Sequence, residues 1–551
     1  MNRQLTIRSL VIGGLGSALI TMSSMYVALK LGALPWPIIF AALVSMFFLK
    51  LLGNTNMHEI NVTHTAMSAG AMTSGGMAFT LPGIYMLNPN VELNFLHVAL
   101  ITSGGVLLGL IWTAIIRKNF IETQDLHYAM GEAAAETISA GDEGGKKARS
   151  LFAFIGASGV FTFLRDGIPD FFGKTLFPAA VMNNSMMKFG SSGGIWLSPM
   201  LISIGYIVGP LAIGVWFLGA LIGDFIILIG GTKLGFLTSE TAVSIKSSLG
   251  IGLMVGTGIA IILKSVIQSC KNAAAKNALS KSEKSIKAGS FISLRWAPVA
   301  IIITAFLFTV VCKMGVIASI VTILGSYLAT LMSAQVVGQS GINPMEIFAI
   351  IILLAAKALC GASGFDMTGT SMFMVAAAVA IACGLAGDVL NDFKAGAILK
   401  TDPKAQWIAQ CAGGIVGVAV SVAVFYVLVK AYGGASFGAG KMFSAPQAAA
   451  VASMVGGIPH LSSFICGLIA ACVLYMLNVP VMTLGLGVYL PFFLSFTAFL
   501  GGALSLIAKK CAPSFVKDGN GLIVASGLLG GEAFVGVVIA MIKAFSGFAS
   551  H

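Results

Sequence analysis

The segment His58-Glu59-Ile60-Asn61-Val62-Thr63-His64-Thr65-Ala66-Met67-Ser68-Ala69-Gly70 lies between two apolar runs, 35–53 and the remainder of 60–86, and has to enter the same surroundings as they do. It carries an asparagine, two histidines, a glutamate and several hydroxyls, and polarity continues through Ser68, Thr73 and Ser74. What surrounds it gives this stretch its meaning. The 551-residue chain is 57% hydrophobic and 9% charged, with a mean hydropathy of +0.96. A soluble protein carries about 25% charged residues, so most of this surface must face lipid or other helices. Polar groups at membrane depth are expensive and normally face a cavity. Asn61, Thr63, His64 and Thr65 are therefore candidates for contact with a polar solute.

A bilayer core of about 30 Å takes roughly 20 apolar residues of helix. Spans are expected at 7–30, 35–53, 60–86, 93–116, 150–164, 195–209, 210–230 and 246–269, then at 296–312, 316–337, 344–360, 367–387, 407–430, 446–477, 480–508 and 521–545. Several are too short or too polar for a plain crossing. The expected fold is an all-α polytopic membrane protein of about 14–16 transmembrane helices, with some elements broken or re-entrant.

An internal repeat is visible. Gly16, Ser17, Gly32 and Pro35 recur as Gly325, Ser326, Gly341 and Pro344, at a constant offset of 309. Asn61-x-Thr63-x-Thr65 recurs as Asp366-x-Thr368-x-Thr370, and Pro199 and Pro210 recur as Pro480 and Pro491. With only 16 prolines in the chain, the proline matches carry the most weight. The expected organisation is a first membrane repeat over 1–270, a basic linker over 271–295, and a second repeat over 296–551 that opens with an extra helix. One extra crossing would start the second repeat from the opposite side, which favours an inverted arrangement. Such repeats are the signature of secondary transporters, whose sites lie near the midplane at the repeat interface.

The net charge of +12 sits between apolar runs rather than on one face. That is the positive-inside pattern, not a nucleic-acid footprint. Lys271, Lys276, Lys281, Lys284 and Lys287 face only Glu283, which places their loop in the cytoplasm, and Arg3 and Arg8 place the N-terminus there too. The eight cysteines form no C-x-x-C pair, so neither a disulfide framework nor a zinc site is implied. No G-x-x-x-x-G-K-[ST] loop occurs. The sequence calls for no catalytic residue, cofactor or metal.

Further acidic groups are candidates for ion coupling. Glu132 and Glu136 are four residues apart and share a helical face. Two like charges there repel, which suits a proton carrier or a cationic group on a solute. Glu532 lies in a glycine-rich run, Asp224 lies within another span, and Asp392-Phe393-Lys394 follows Asp388. In the second repeat, Asp366 with Thr368 and Thr370 is expected to face the same cavity as Asn61 and His64, with Asp366 meeting a cationic group.

At these residues the chain resembles the oligopeptide transporter (OPT) superfamily, specifically its prokaryotic branch, over most of its length. Asn61 to Thr65 followed by Gly70 and Leu81-Pro82-Gly83 is similar to that family's early asparagine-rich element. Gly131-Glu132-Ala133 with Ala140 to Gly145 is similar to its glutamate-bearing patch, with Met130 where a proline is usual nearby. Asp392-x-Lys394-x-Gly396 resembles its D-x-K-x-G motif. Ser198-Pro199, Gly209-Pro210, Tyr489-Leu490-Pro491 and Gly530-Gly531-Glu532 also resemble family positions. The resemblance implies proton-coupled import of small peptides, glutathione-like thiols or metal chelates across the cytoplasmic membrane, and a homodimer. Asn61, Thr63, His64, Thr65, Asp366, Thr368, Thr370, Asp392, Lys394 and Tyr489 are then the expected solute contacts. Glu132, Glu136 and Glu532 are the expected proton carriers. A transporter of siderophore- or nicotianamine-type chelates is the runner-up. A membrane-embedded enzyme or a channel would be a different class.

The lysine-rich loop supplies a test. A single cysteine at Ala274, in a background without the native cysteines, should resist an impermeant maleimide in intact cells and react after permeabilisation. Ready labelling in intact cells would reverse the orientation of every later helix.

Overall fold

Residue Asn56 begins the helix that carries the polar segment. Its side chain accepts a hydrogen bond from the Glu59 backbone N–H at 2.9 Å, with Glu59 in the first turn. An N-cap with an acid three residues on is a strong helix start. The helix then runs unbroken over Met57–Ala78, and every residue from Glu59 to Ala78 is buried. The polar segment is thus regular helix rather than broken backbone. The Thr63 and Thr65 hydroxyls donate to the Glu59 and Asn61 carbonyls of their own helix, each at 2.9 Å.

The computed structural model describes residues 4–31, 38–124, 126, 128–139, 144–182, 186, 191–279, 296–340 and 343–549. The loop 280–295, Ala140–Glu143 and the Glu136 side chain lie outside the described residues. The helices that matter below are α1 (Ile7–Leu31), α2 (Ile38–Leu51), α3 (Met57–Ala78), α4 (Phe95–Arg117), α5 (Ala129–Ser139) and α6 (Gly144–Thr162). A short hairpin of β1 (Ala180–Met182) and β2 (Gly194–Trp196) follows, with Val181 opposite Ile195. Next come α7 (Pro199–Val208), α8 (Pro210–Ala220), the 41-residue α9 (Ser239–Leu279) and α10 (Trp296–Phe306). The second half continues with α11 (Val316–Ser340), α12 (Met345–Ala362), α13 (Gly369–Leu399), α14 (Pro403–Tyr432), α15 (Pro446–Gly456), α16 (Leu461–Met476), α17 (Val481–Tyr489), α18 (Phe492–Cys511) and α19 (Asn520–Ala549).

This is an all-α polytopic membrane protein. Among the described residues, nine helices are long and apolar enough to cross a membrane, and four shorter apolar helices accompany them. The expected spans are broken where the chain supplies a reason. Residues 480–508 divide at Leu490-Pro491, because proline cannot donate within a helix. Residues 446–477 divide at Gly457, whose φ of +102° suits glycine.

Glycine sets how close the helices come. A β-carbon added at Gly413 of α14 would lie 1.9 Å from the Ala66 carbonyl oxygen of α3, and one at Gly417 would lie 2.7 Å from Gly70 Cα. On the other side, β-carbons at Gly105 and Gly109 of α4 would lie 2.9 and 3.0 Å from the Ala378 and Ala382 carbonyl oxygens of α13. The two pairs of glycines stand 308 positions apart and their partners 312 apart. A second set recurs at 282 positions. Gly205 faces the Ala498 carbonyl as Gly487 faces that of Trp216, and Gly219 faces the Leu484 carbonyl as Gly501 faces that of Ile202. Helix spacing this small is available only where a residue lacks a side chain.

Two groups of parallel helices result. α1, α3 and α14 pack together, and α4, α11 and α13 pack together. The groups meet where α3 crosses α13 in the opposite sense, with Ser68 against Asp392, Met72 against Gly384 and Gly76 against Ile381. Each group takes its third helix from the other half of the sequence, so the halves interleave.

The close contact at Gly413 predicts a steep penalty for bulk. Gly413→Leu should lower the melting temperature in detergent strongly, since overpacking costs about 1–3 kcal/mol even without a backbone clash. Gly156→Leu, at an exposed position with nothing within 4 Å of its added β-carbon, should melt as the native chain does. Equal melting of all three proteins would show that α14 can move away from α3 freely.

Candidate functional site

Three helices meet at Asp392. α13 brings Asp388 and Asp392, four residues apart and on one face. α3 brings His64, Thr65 and Ser68, and α14 brings Gln406 and Gln410. All of these side chains are buried. The lengths of the three helices, fixed by caps at Asn56, Thr368 and Asp402, set which residues come level.

The bonding at this crossing is incomplete. Ser68 Oγ donates to Asp392 Oδ2 at 2.6 Å and Gln410 Nε2 donates to the same oxygen at 2.7 Å. Gln406 Nε2 donates to the Asp392 carbonyl at 2.8 Å and to Thr65 Oγ1 at 3.2 Å. Asp392 Oδ1 lies 3.6 Å from His64 Nδ1, beyond hydrogen-bond distance. Neither ring nitrogen of His64, neither oxygen of Asp388, nor Gln410 Oε1 has a hydrogen-bond partner. A buried polar group without a partner costs on the order of 1–3 kcal/mol, and more if charged. Two carboxylates at this depth, with three of their four oxygens lacking a donor, form a place where one added proton or small cation would be welcome. Among the described residues no group of side chains has the ligand set to hold a metal ion.

Of the residues expected from the sequence, Asn61, His64, Thr65 and Asp392 gather here. Asn61 Nδ2 donates to Thr401 Oγ1 at 3.2 Å, toward the end of α3 where Arg8 grips Glu59. Thr63 bonds only to its own helix. Lys394 lies on α13 with its Nζ 3.9 Å from Glu132 Oε1 of α5. Tyr489, at the end of α17, donates to the Ser444 carbonyl at 3.4 Å, among partners not shared with His64.

The structure does not bring Asp366, Thr368 and Thr370 to this place, which corrects the expectation of one shared cavity. Asp366 is exposed in the turn before α13, and Thr368 caps that helix by accepting from the Ser371 N–H at 3.2 Å. From Gly369 to Asp392 is about 35 Å of helix at ~1.5 Å per residue. Because α13 runs opposite to α3, the offset that matches these residues to Asn61, Thr63 and Thr65 sends them to the other membrane face.

Glu532 is in a different situation from Asp388. Ser198 Oγ lies 2.9 and 2.8 Å from its two oxygens, the Met200 backbone N–H donates at 2.8 Å, and Arg165 donates at 2.9 Å. Arg165 also pairs with Asp166 and donates to the Leu197 carbonyl. Asp224 is likewise paired, to Lys246 at 2.6 Å and to Ser191 at 2.9 Å. These carboxylates are fully engaged as structural ion pairs. Sequence reading missed Gln406, Gln410, Arg165 and Asp166. The four-residue spacing of the two glutamines at the start of an apolar span was the available signal.

Comparison with known proteins agrees with the geometry of a membrane-embedded site. The sequence profile described as "OPT oligopeptide transporter protein" matches residues 4–543. A Haemophilus influenzae protein described as "Putative oligopeptide transporter" is 27% identical over a 606-residue alignment covering 95% of this chain and 93% of the relative.

The ion pair gives a test independent of transport. Arg165→Gln should destabilise the protein by about 3–5 kcal/mol, as expected when one partner of a buried pair is removed. Glu532→Gln should cost less, because Asp166 still balances Arg165. The double variant should recover part of the Arg165→Gln loss in thermal melts. Additive losses would mean that the two side chains do not interact.

Proposed function

This chain belongs to the OPT oligopeptide transporter family, and we propose that it imports short peptides or peptide-like solutes across the cytoplasmic membrane in symport with protons. It is a multi-pass membrane transporter. The observation that carries proton coupling is the Asp388–Asp392 pair, buried at the crossing of α3 and α13 with both Asp388 oxygens unpartnered. A transporter needs a group that can be charged in one state and neutral in another. Glu532 and Asp224 are held by fixed cations in this conformation; Asp388 is not.

The helix groups support alternating access. α1, α3 and α14 run opposite to α4, α11 and α13, and glycine contacts recur at constant spacing in both. We read them as arms of an inverted repeat, crossing at Ser68 and Asp392. His64 of one group sits beside Asp392 of the other, with Nδ1 3.6 Å from Oδ1. Protonation of that pair would weaken the polar contacts across the crossing and free the arms to tilt. Arg8, Lys400 and Lys404 cluster at one end, where the Gln4 side chain meets the Asp402 backbone. The positive-inside rule makes that end cytoplasmic.

Proteoliposomes with an imposed pH gradient test this reading. Asp388→Asn and Asp392→Asn should each lower gradient-driven accumulation of labelled trialanine by about tenfold or more, while exchange of trialanine across both faces is retained. Normal accumulation in both variants would place coupling elsewhere. Accumulation driven by a sodium gradient alone would change the ion, and uptake of chelates in place of peptides would change the solute.

A further inference from the structure

The far end of α1 from Arg8 closes on a cavity of about 500 Å³ that the coupling site does not use. Its wall includes Tyr26 and Lys30 of α1, Arg165 and Asp166 beyond α6, Trp196 of β2 and Tyr432 at the end of α14. Gly13 of α1 packs level with Ala66, close to His64 on α3. From Gly13 to Lys30 is about 25 Å of helix, so this cavity and Asp392 stand at different depths.

The charges in the wall are unequally committed. Arg165 is held by Asp166, Glu532 and the Leu197 carbonyl. Lys30 is only 6% exposed, yet no carboxylate or carbonyl lies within hydrogen-bond or ion-pair reach of its ammonium among the described residues. The ammonium instead lies over two rings, 4.5 Å from the centre of Trp196 and 5.1 Å from that of Tyr26. The Trp196 indole N–H is itself buried and without an acceptor. Two residues of one wall thus each carry an unmatched donor, Lys30 an ammonium set over the Trp196 ring and Trp196 an indole N–H in the plane of that ring. A buried ammonium with only ring faces as partners is poorly compensated. The group that completes both donors is an anion with two acceptor oxygens. Nearby, Asp166 is about a quarter exposed and supplies the opposite sign. Tyr26, Phe177 and Tyr432 supply apolar and aromatic wall between them.

We propose that this cavity binds the carboxylate end of a peptide, with Lys30 and the Trp196 N–H as its recognition pair and Asp166 facing the amino-terminal side. The assignment rests on the peptide-transport reading above and adds the end of the peptide that is read. The volume falls in the range of about 300–1,000 Å³ usual for small-molecule sites. A free carboxylate should thus be preferred over its amide, because the amide oxygen can accept from Lys30 but brings no charge to neutralise its ammonium. Lys30→Arg keeps the charge, and Lys30→Gln removes it.

Binding of trialanine, trialanine amide and N-acetylalanine to the purified full chain decides the matter by titration calorimetry. The native protein should favour trialanine over its amide by about tenfold or more. Lys30→Gln should lose that preference so that acid and amide bind alike, Lys30→Arg should keep part of it, and Trp196→Phe should weaken it. A Lys30→Gln protein that still prefers the free acid would overturn the assignment and leave peptide transport standing. If trialanine does not bind but N-acetylalanine does, dependent on Lys30, the carboxylate site stands and the peptide reading falls. If neither binds the native protein, both fall. Should Lys30→Gln fail to fold, loss of the preference in Trp196→Phe supports the pair and its full retention overturns it.

Discussion

Every later feature of this protein depends on bringing one helix backbone against the carbonyls of another. Where Gly413 meets Ala66 and Gly105 meets Ala378, no side chain could intervene. Lipid tails are as apolar as leucine, so burial of apolar surface cannot hold such helices together. Dispersion between closely fitted backbones, with hydroxyls turned back to their own helices, supplies the adhesion instead. Ser17 shows both roles at once, since its hydroxyl donates across to the Gly413 carbonyl at 3.0 Å. With α3 and α13 clasped in this way, side chains such as Ser68 and Asp392 meet without exposure to lipid or water.

Buried charge is then handled in contrasting ways. Glu59 is clamped by Arg8, Thr6 and Thr55 near the end of α3. Glu532 and Asp224 are matched by arginine and lysine from neighbouring elements. These pairs fix helix ends and breaks in place. The crossing at Asp392 and the wall at Lys30 are where matching stops, one with surplus acceptors and the other with surplus donors. A static scaffold gains nothing from leaving both incomplete, whereas a carrier that takes up and releases cargo needs groups whose best partner is not part of the chain.

Much of this was legible in the sequence because membrane constraints act on composition. Low charge and long apolar runs led to helices, but 480–508 was read as one span, and its division at Pro491 was seen only in the fold. The segment around Asn61 stood out because polarity inside an apolar run is costly. Depth was not legible. Asn61 and Asp366 match in sequence, but the opposite running of α3 and α13 sends them to different faces. Glu532 was readable as a lone acid and not as a paired one, since Arg165 is 367 positions away in the chain. Lys30 was not singled out in the sequence at all. Only the fold shows its ammonium set against the rings of Tyr26 and Trp196.

The length of α9 has a consequence of a different kind. It is 41 residues long, which is about 60 Å of rod at ~1.5 Å per residue. The hydrocarbon core of a bilayer is about 30 Å thick, and even a tilt of about 40° leaves such a rod longer than the core it crosses. Part of α9 therefore stands outside the hydrocarbon at any ordinary tilt, and a rocking of the embedded part is carried outward as a wider sweep of the rest.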